Sequence, residues 1–188
     1  ILTSEISVSA PGRLDVSGTW DLKAYALLYE HIPPMTTNIA LSLRTHVNLK
    51  PFDPGWIRIT DHLGSEEHKI DEMHFDGQFG LLFAVVSHFN VHGLEIELSY
   101  EAPPKSGLGG SGVLAVTSIK AINEACKSIG MPELSNTRIV ELAHNIEDGL
   151  RYSYTGMQDQ CAAVFGGINK WIWTYSSEPK FRQESLSV

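Results

Sequence analysis

Residues 103–112, PPKSGLGGSG, hold four glycines within six positions, directly after an alternating stretch, LEIELSY at 94–100, and directly before a helical one. A strand that runs into such a loop and out into a long helix fixes both a local geometry and a chemistry. Missing β-carbons let backbone N–H groups converge on an anion, and the first helical turn adds unpaired donors and the positive end of its dipole. Lys105 and Ser106 add a charge and a hydroxyl, so Lys105, Ser106, Gly107, Leu108, Gly109, Gly110, Ser111 and Gly112 read as a phosphate cradle. A lone glycine would more often serve tight helix–strand packing; four at a helix mouth beside Lys and Ser favour the phosphate.

Three known phosphate loops share part of this spelling, and each fails on context. Gly107, Gly109 and Gly112 spell G-x-G-x-x-G, but a dinucleotide fold needs a second strand ending in an acid about twenty residues on, where Pro132-Glu133-Leu134-Ser135 opens another helix. A Walker A loop needs Lys and Ser/Thr where Val113 and Leu114 stand. The loop of protein kinases needs a V-A-I-K strand, H-R-D and D-F-G, none of which occurs.

Elsewhere the first half alternates as strands in SEISVSA, TNIALSL, THVNLKP and WIRIT, with turns at Asp53-Pro54-Gly55 and Gly64-Ser65 and a polar, aromatic loop around TWDLKAYALLYEHIPP. Residues 79–90 read as a buried helix. After the glycine loop, Val116, Ile119, Ile122, Cys126 and Ile129 form an amphipathic stripe that Gly130 and Pro132 close. Ser135 or Asn136 caps a second helix with its stripe at Ile139, Leu142, Ala143 and Ile146; MQDQCAAVF reads as a third, before a closing strand INKWIWTY. The fold class expected is α+β, a mixed sheet with helices on one side.

With 43% hydrophobic and 19% charged residues, the 188-residue chain suits one domain with a real core. A net charge of -8 without a basic stripe speaks against a nucleic-acid partner, and the longest apolar run, 79–86, is too short for a membrane. Two cysteines, Cys126 and Cys161, make no disulfide framework, and the absence of an export signal makes a cytoplasmic setting the expectation. His88 and His92, with no third ligand nearby, read as helix-end histidines; Trp171 and Trp173 read as core and rim.

Pro103 to Ser111, P-x-x-x-G-L-G-x-S, resembles the nucleotide loop of the GHMP kinases, the family of galactokinase, homoserine kinase, mevalonate kinase and phosphomevalonate kinase. SAPGRLDVSGTWD at 9–21 and TGMQDQCAAVFGG at 155–167 match that family in order and spacing, closest in flavour to its L-fucose and heptose kinases. The resemblance implies a fold like domain 2 of ribosomal protein S5 with a left-handed crossover, residues 1–188 being the N-terminal, ATP-binding domain and the C-terminal domain of the family lying outside this chain. It implies ATP and Mg²⁺ as cofactors, a sugar acceptor phosphorylated at its anomeric hydroxyl, and no set oligomeric state.

Residue by residue, the resemblance makes Ser111 and Glu147 the Mg²⁺ ligands, Asp159 the catalytic base with Arg13 beside it, and Asp21, with backbone around Gly156, the holder of sugar hydroxyls. Each has a plainer alternative: Glu147 as a solvated residue paired with Arg151, or displaced as metal ligand by Asp148; Asp159 as a cap or salt bridge; Arg13 as a turn residue. A carboxylate serves as base here if a nearby cation keeps it ionised, which is the part expected of Arg13. The rival functions are a kinase for a non-sugar alcohol and a non-catalytic sugar and nucleotide sensor on the same fold.

Overall fold

A computed structural model describes residues 2–150 and 155–187. Seven strands, β1 (Ile6–Asp15), β2 (Met35–Pro51), β3 (Trp56–Asp61), β4 (Gly64–Lys69), β5 (Leu94–Tyr100), β6 (Ile168–Trp173) and β7 (Phe181–Ser185), make one sheet. Five helices accompany it: α1 (Lys23–Tyr29), α2 (Gly80–Phe89), α3 (Gly110–Ser128), α4 (Asn136–Leu150) and α5 (Gln158–Phe165). The strand order is β4-β3-β5-β2-β6-β7, with β1 on the other edge of β2. All pairs are antiparallel except β3–β5, so the sheet is mixed, and β4 and α2 form the crossover between the parallel strands.

Alternation decides which face is covered. Val47, Leu49, Ile57, Ile59, Leu94, Ile96 and Leu98 are buried against α2 and α3, each full aliphatic burial contributing roughly 1.5–3 kcal/mol. Their neighbours on the opposite face are charged and paired, as in Lys50–Glu97 and Arg58–Glu67. Helices therefore cover one side, as the alternation predicts. Val116, Ile119, Ile122 and Cys126 of α3 are buried in that core, whereas Ile129, just past the helix, is 66% exposed and does not belong to the stripe. Ser135 caps α4 by accepting from the N–H of Arg138 at 3.3 Å.

The two predicted strands TNIALSL and THVNLKP are one strand of 17 residues. Residues 35–39 of β2 pair with β6 and residues 45–51 with β5, while β1 runs along the opposite edge. The gap between those pairings interrupts the burial pattern and makes one strand read as two. The glycine loop leaves the end of β5 beside this gap.

Three elements escape the periodicity. Polar β4 is an edge strand and needs no apolar face, α1 buries only Ala26, and β7 buries only Phe181. Trp171 and Trp173, two residues apart, share a face and are both in the core rather than one on the rim; their indole N–H groups donate to Asn38 and Thr36. Both cysteines are free and buried. Among the described residues no helix is long and apolar enough to cross a membrane.

Candidate active site

The loop after β5 folds as a cradle. Lys105, Gly107 and Gly109 have φ of 57°, 75° and 81°, so every second residue is left-handed, and Gly109 is the N-cap of α3 with no side chain capping the helix. The loop lines a cavity of about 920 Å³ together with Leu43, Tyr100, Pro103 and Pro104. Gly110 and Ser111 reach the same cavity, which places the first turn of α3 at its wall.

Arg13 ties this loop to the sheet. The register of β1 on β2 shifts between Pro11 and Arg13, a bulge of the kind that re-aims the following side chains. Gly12 lies so close to the loop that an added Cβ would come within 3.2 Å of the Leu108 carbonyl oxygen. The Arg13 backbone N–H donates to that carbonyl at 3.1 Å, and Nη1 donates to the Gly107 carbonyl at 2.6 Å. Arg13 is thus a buried clamp, not a turn residue.

The same guanidinium holds Asp159, in the first turn of α5, through Nε at 2.7 Å and Nη2 at 2.6 Å. Asp159 also packs on the cradle: a Cβ on Gly112 would sit 2.7 Å from its Cβ, and one on Gly109 would sit 3.0 Å from its carboxyl carbon. Burial raises its pKa, Arg13 pulls it back, and the balance stays above the ordinary carboxylate value. The cation therefore offsets the desolvation only in part, although a quarter of the side chain (25%) remains exposed.

Asp21, 2% exposed, lies behind this pair. Its Oδ2 accepts the backbone N–H of Gln158 at 3.0 Å, its carbonyl accepts the Tyr175 hydroxyl at 2.6 Å, and its Oδ1 is buried without a partner among the described residues. Burial is the main cause that lifts its pKa to about 6. Gly156 fits against it so tightly that any Cβ would overlap the carboxylate. His144 of α4 holds the Gly156 carbonyl at 3.2 Å from Nδ1.

Glu147 is buried, 6% exposed, and Asp148 is exposed. Burial raises the Glu147 pKa to about 7, while hydrogen bonds from Ser111 and Gln160 oppose the rise. A solvated surface pair is excluded by that burial, and Arg151 lies outside the described residues. Among the described residues no group of three or more His, Cys, Asp or Glu side chains is arranged to hold a metal ion. A hydroxyl and one carboxylate, hard oxygen donors, nevertheless suit Mg²⁺, which takes few protein ligands and keeps several waters.

The residues expected from the sequence, Arg13, Asp21, Ser111, Glu147, Gly156 and Asp159, thus gather around the N-terminus of α3 and the start of α5. Lys105 and Ser106 stay exposed on the loop. Asp15, Gln158, Gln160, His144 and Tyr175 join them without having been singled out. Asp15 lies two residues from Arg13 on the same strand face, and the two glutamines flank Asp159, so their signal was adjacency. His144 and Tyr175 carry no such signal, because their packing follows from tertiary structure alone.

Residues 79–167 match the family model described as the GHMP kinases N terminal domain. A mevalonate kinase from Thermococcus onnurineus is 26% identical over 152 residues, 69% of this chain and 43% of that protein. The fold is similar to that of a D-glycero-D-manno-heptose 1-phosphate kinase from Bacteriodes thetaiotaomicron, with a TM-score of 0.79 and 23% identity over 97% of this chain and 60% of the other. It is also similar to the mevalonate kinase of Methanococcus jannaschii, with a TM-score of 0.73 and 17% identity over 99% and 57% of the two chains. The chain thus spans less than half of the curated relative and somewhat over half of each solved one. Motifs, family model and fold point the same way: residues 79–167 match the GHMP kinases N terminal domain, and the whole chain is similar in fold to members of that family.

Proposed function

We propose that this chain is the nucleotide-binding part of an ATP-dependent kinase that transfers the γ-phosphoryl group to a sugar hydroxyl, of the L-fucose or heptose type and at the anomeric position. One observation carries the reading: the side chain of Asp159 rests directly on Gly109, through its carboxylate, and on Gly112, through its Cβ, so a base and a phosphate cradle share one wall. Phosphoryl transfer asks for little more than positioning and charge stabilisation around that juxtaposition.

In this reading the loop N–H groups and Lys105 hold the phosphates of ATP. Ser111 and Glu147 would hold Mg²⁺, which would supply positive charge against the phosphates of ATP. Burial, above all, raises the Glu147 pKa to about 7, and a cation beside it would favour the ionised form and release that proton. Asp159 accepts the proton of the attacking hydroxyl, and Arg13 fixes its orientation through two bonds. Asp21 and the backbone at Gly156 hold further hydroxyls of the acceptor.

Asp15, Asp21 and Asp159 together favour a polyol over an acceptor that bears its own carboxylate, since like charges in a partly dry site repel. The mevalonate kinase relative supports the second reading, a non-sugar alcohol as acceptor. A sensor without catalysis has no need for a base resting on a phosphate cradle. The test is an ATP-consumption screen of the full-length polypeptide against free sugars, heptose phosphates and mevalonate. Turnover with a sugar or sugar phosphate is expected; turnover with mevalonate alone gives the second reading, and none with any alcohol overturns the proposal.

A further inference from the structure

Beyond its share in the charge of the site, Asp15 has no assigned role above, yet it is the second carboxylate on Arg13. Arg13 and Asp15 pair with Ala40 and Asn38 of β2 in unbroken register, so both side chains leave the same face of β1. Nε of Arg13 lies 2.7 Å from Oδ1 of Asp159 and 3.1 Å from Oδ2 of Asp15. That Oδ2 also accepts from Nε2 of Gln158 at 3.2 Å, while Oδ1 of Asp15 is buried without a partner among the described residues. One cation therefore faces two anions, and its Nη1 is already committed to the Gly107 carbonyl.

We propose that Asp15 is a positioning residue: it divides the Arg13 guanidinium between two carboxylates and so leaves Asp159 incompletely neutralised and able to take up a proton. The inference rests on the reading of Asp159 as the base. An aspartate alone with an arginine becomes a poor base, since an adjacent guanidinium commonly lowers a carboxyl pKa by about 1–3 units. A second carboxylate on the same guanidinium counters that effect without loosening the geometry. Interaction between the two acids is reciprocal, and Asp159 pushes the pKa of Asp15 upward.

The other titratable groups facing this pair come from elsewhere. Asp21 precedes α1, Glu147 belongs to α4, and Cys161 lies on α5 two residues past Asp159; each interacts electrostatically with Asp159. Among the described residues only Asp15 and Asp159 form ion pairs with Arg13. Removing Asp15 thus hands the whole cation to Asp159, which removal of the other groups would not do.

Carboxyl ¹³C NMR titration of the intact protein reads this without turnover, with the Asp159 signal assigned by its loss in Asp159→Asn. In Asp15→Asn the Asp159 midpoint is expected to fall by roughly one to two units, the range for one charge about 6–12 Å away at an effective dielectric near 20. An unchanged midpoint overturns the proposal. So does a rise, which would mean that Asp15 merely kept Arg13 in place. Asp15→Glu, which keeps the charge, is expected to leave the midpoint near that of the parent protein; a fall equal to that of Asp15→Asn contradicts the division of charge. Should Asp15→Asn not fold, Asp15→Ser removes the same charge and carries the same expected fall. A fall in a polypeptide that consumes no ATP with any acceptor leaves the division of Arg13 standing and defeats the kinase reading separately.

Discussion

Nε of Arg13 donates to Oδ1 of Asp159 at 2.7 Å, across 146 residues of sequence. The bond joins the bulged strand β1 to the first turn of α5, and the same guanidinium reaches the Gly107 carbonyl. Asp159 and the glycine loop are therefore held by one side chain, so their relative position is set by packing of the sheet rather than by the loop alone.

The tight seat of Asp159 makes two neighbouring glycines behave differently. Gly112→Ala puts a methyl 2.7 Å from the Asp159 Cβ and within 3.2 Å of the Gln160 amide, an overpacking expected to cost about 1–3 kcal/mol and to displace the Asp159 side chain. Gly110→Ala meets nothing within 4 Å and is expected to be neutral or up to about 1 kcal/mol stabilising, since alanine favours the helix. Urea denaturation of both variants checks the contrast; equal midpoints would contradict the packing described. Gly109 offers no such clean contrast, because its φ of 81° strains any side chain placed there.

Asp21 should make the protein less stable as pH rises. Its folded pKa, about 6, exceeds its model-compound value of 3.8, so between those values the folded state keeps a proton that the unfolded state has released. Its stabilising contribution is full below pH 4 and is lost as pH rises through 6, a difference of roughly 3 kcal/mol for a shift of this size. Asp21→Asn should flatten that part of the stability curve in thermal or urea melts between pH 4 and 7. An unaltered slope would show that Asp21 is not the group responsible.

How much of this was legible in the sequence follows a physical line. The bent loop between β5 and α3 was, because four glycines before a helical stripe say where backbone must bend. The long helix α3 was legible, because its stripe faces one core. Strand β2 was not, since its two halves serve different partners and the pattern breaks between them. The companions of the site, Tyr175 on the Asp21 carbonyl and His144 on Gly156, were invisible because no local pattern marks a residue that acts only through a fold-level contact.

Glu147→Gln keeps the shape of a buried side chain beside Ser111 and Gln160 but removes its charge. In the full-length polypeptide the Mg²⁺ concentration for half-maximal activity should rise at least about tenfold, since the carboxylate is one of few protein ligands such an ion takes. Magnesium titration of initial rates is the measurement. A curve identical to that of the parent protein would remove Glu147 from the metal site.

The most direct test of the account is the turnover of full-length Asp159→Asn under saturating ATP and acceptor. The amide retains the size of the carboxylate and can still accept from Arg13, so binding of both substrates, followed by calorimetry, should persist. Turnover should fall by about 10²- to 10⁴-fold, the usual contribution of general-base assistance. Parent-like turnover in Asp159→Asn would contradict the assignment of Asp159 as the group that accepts the hydroxyl proton.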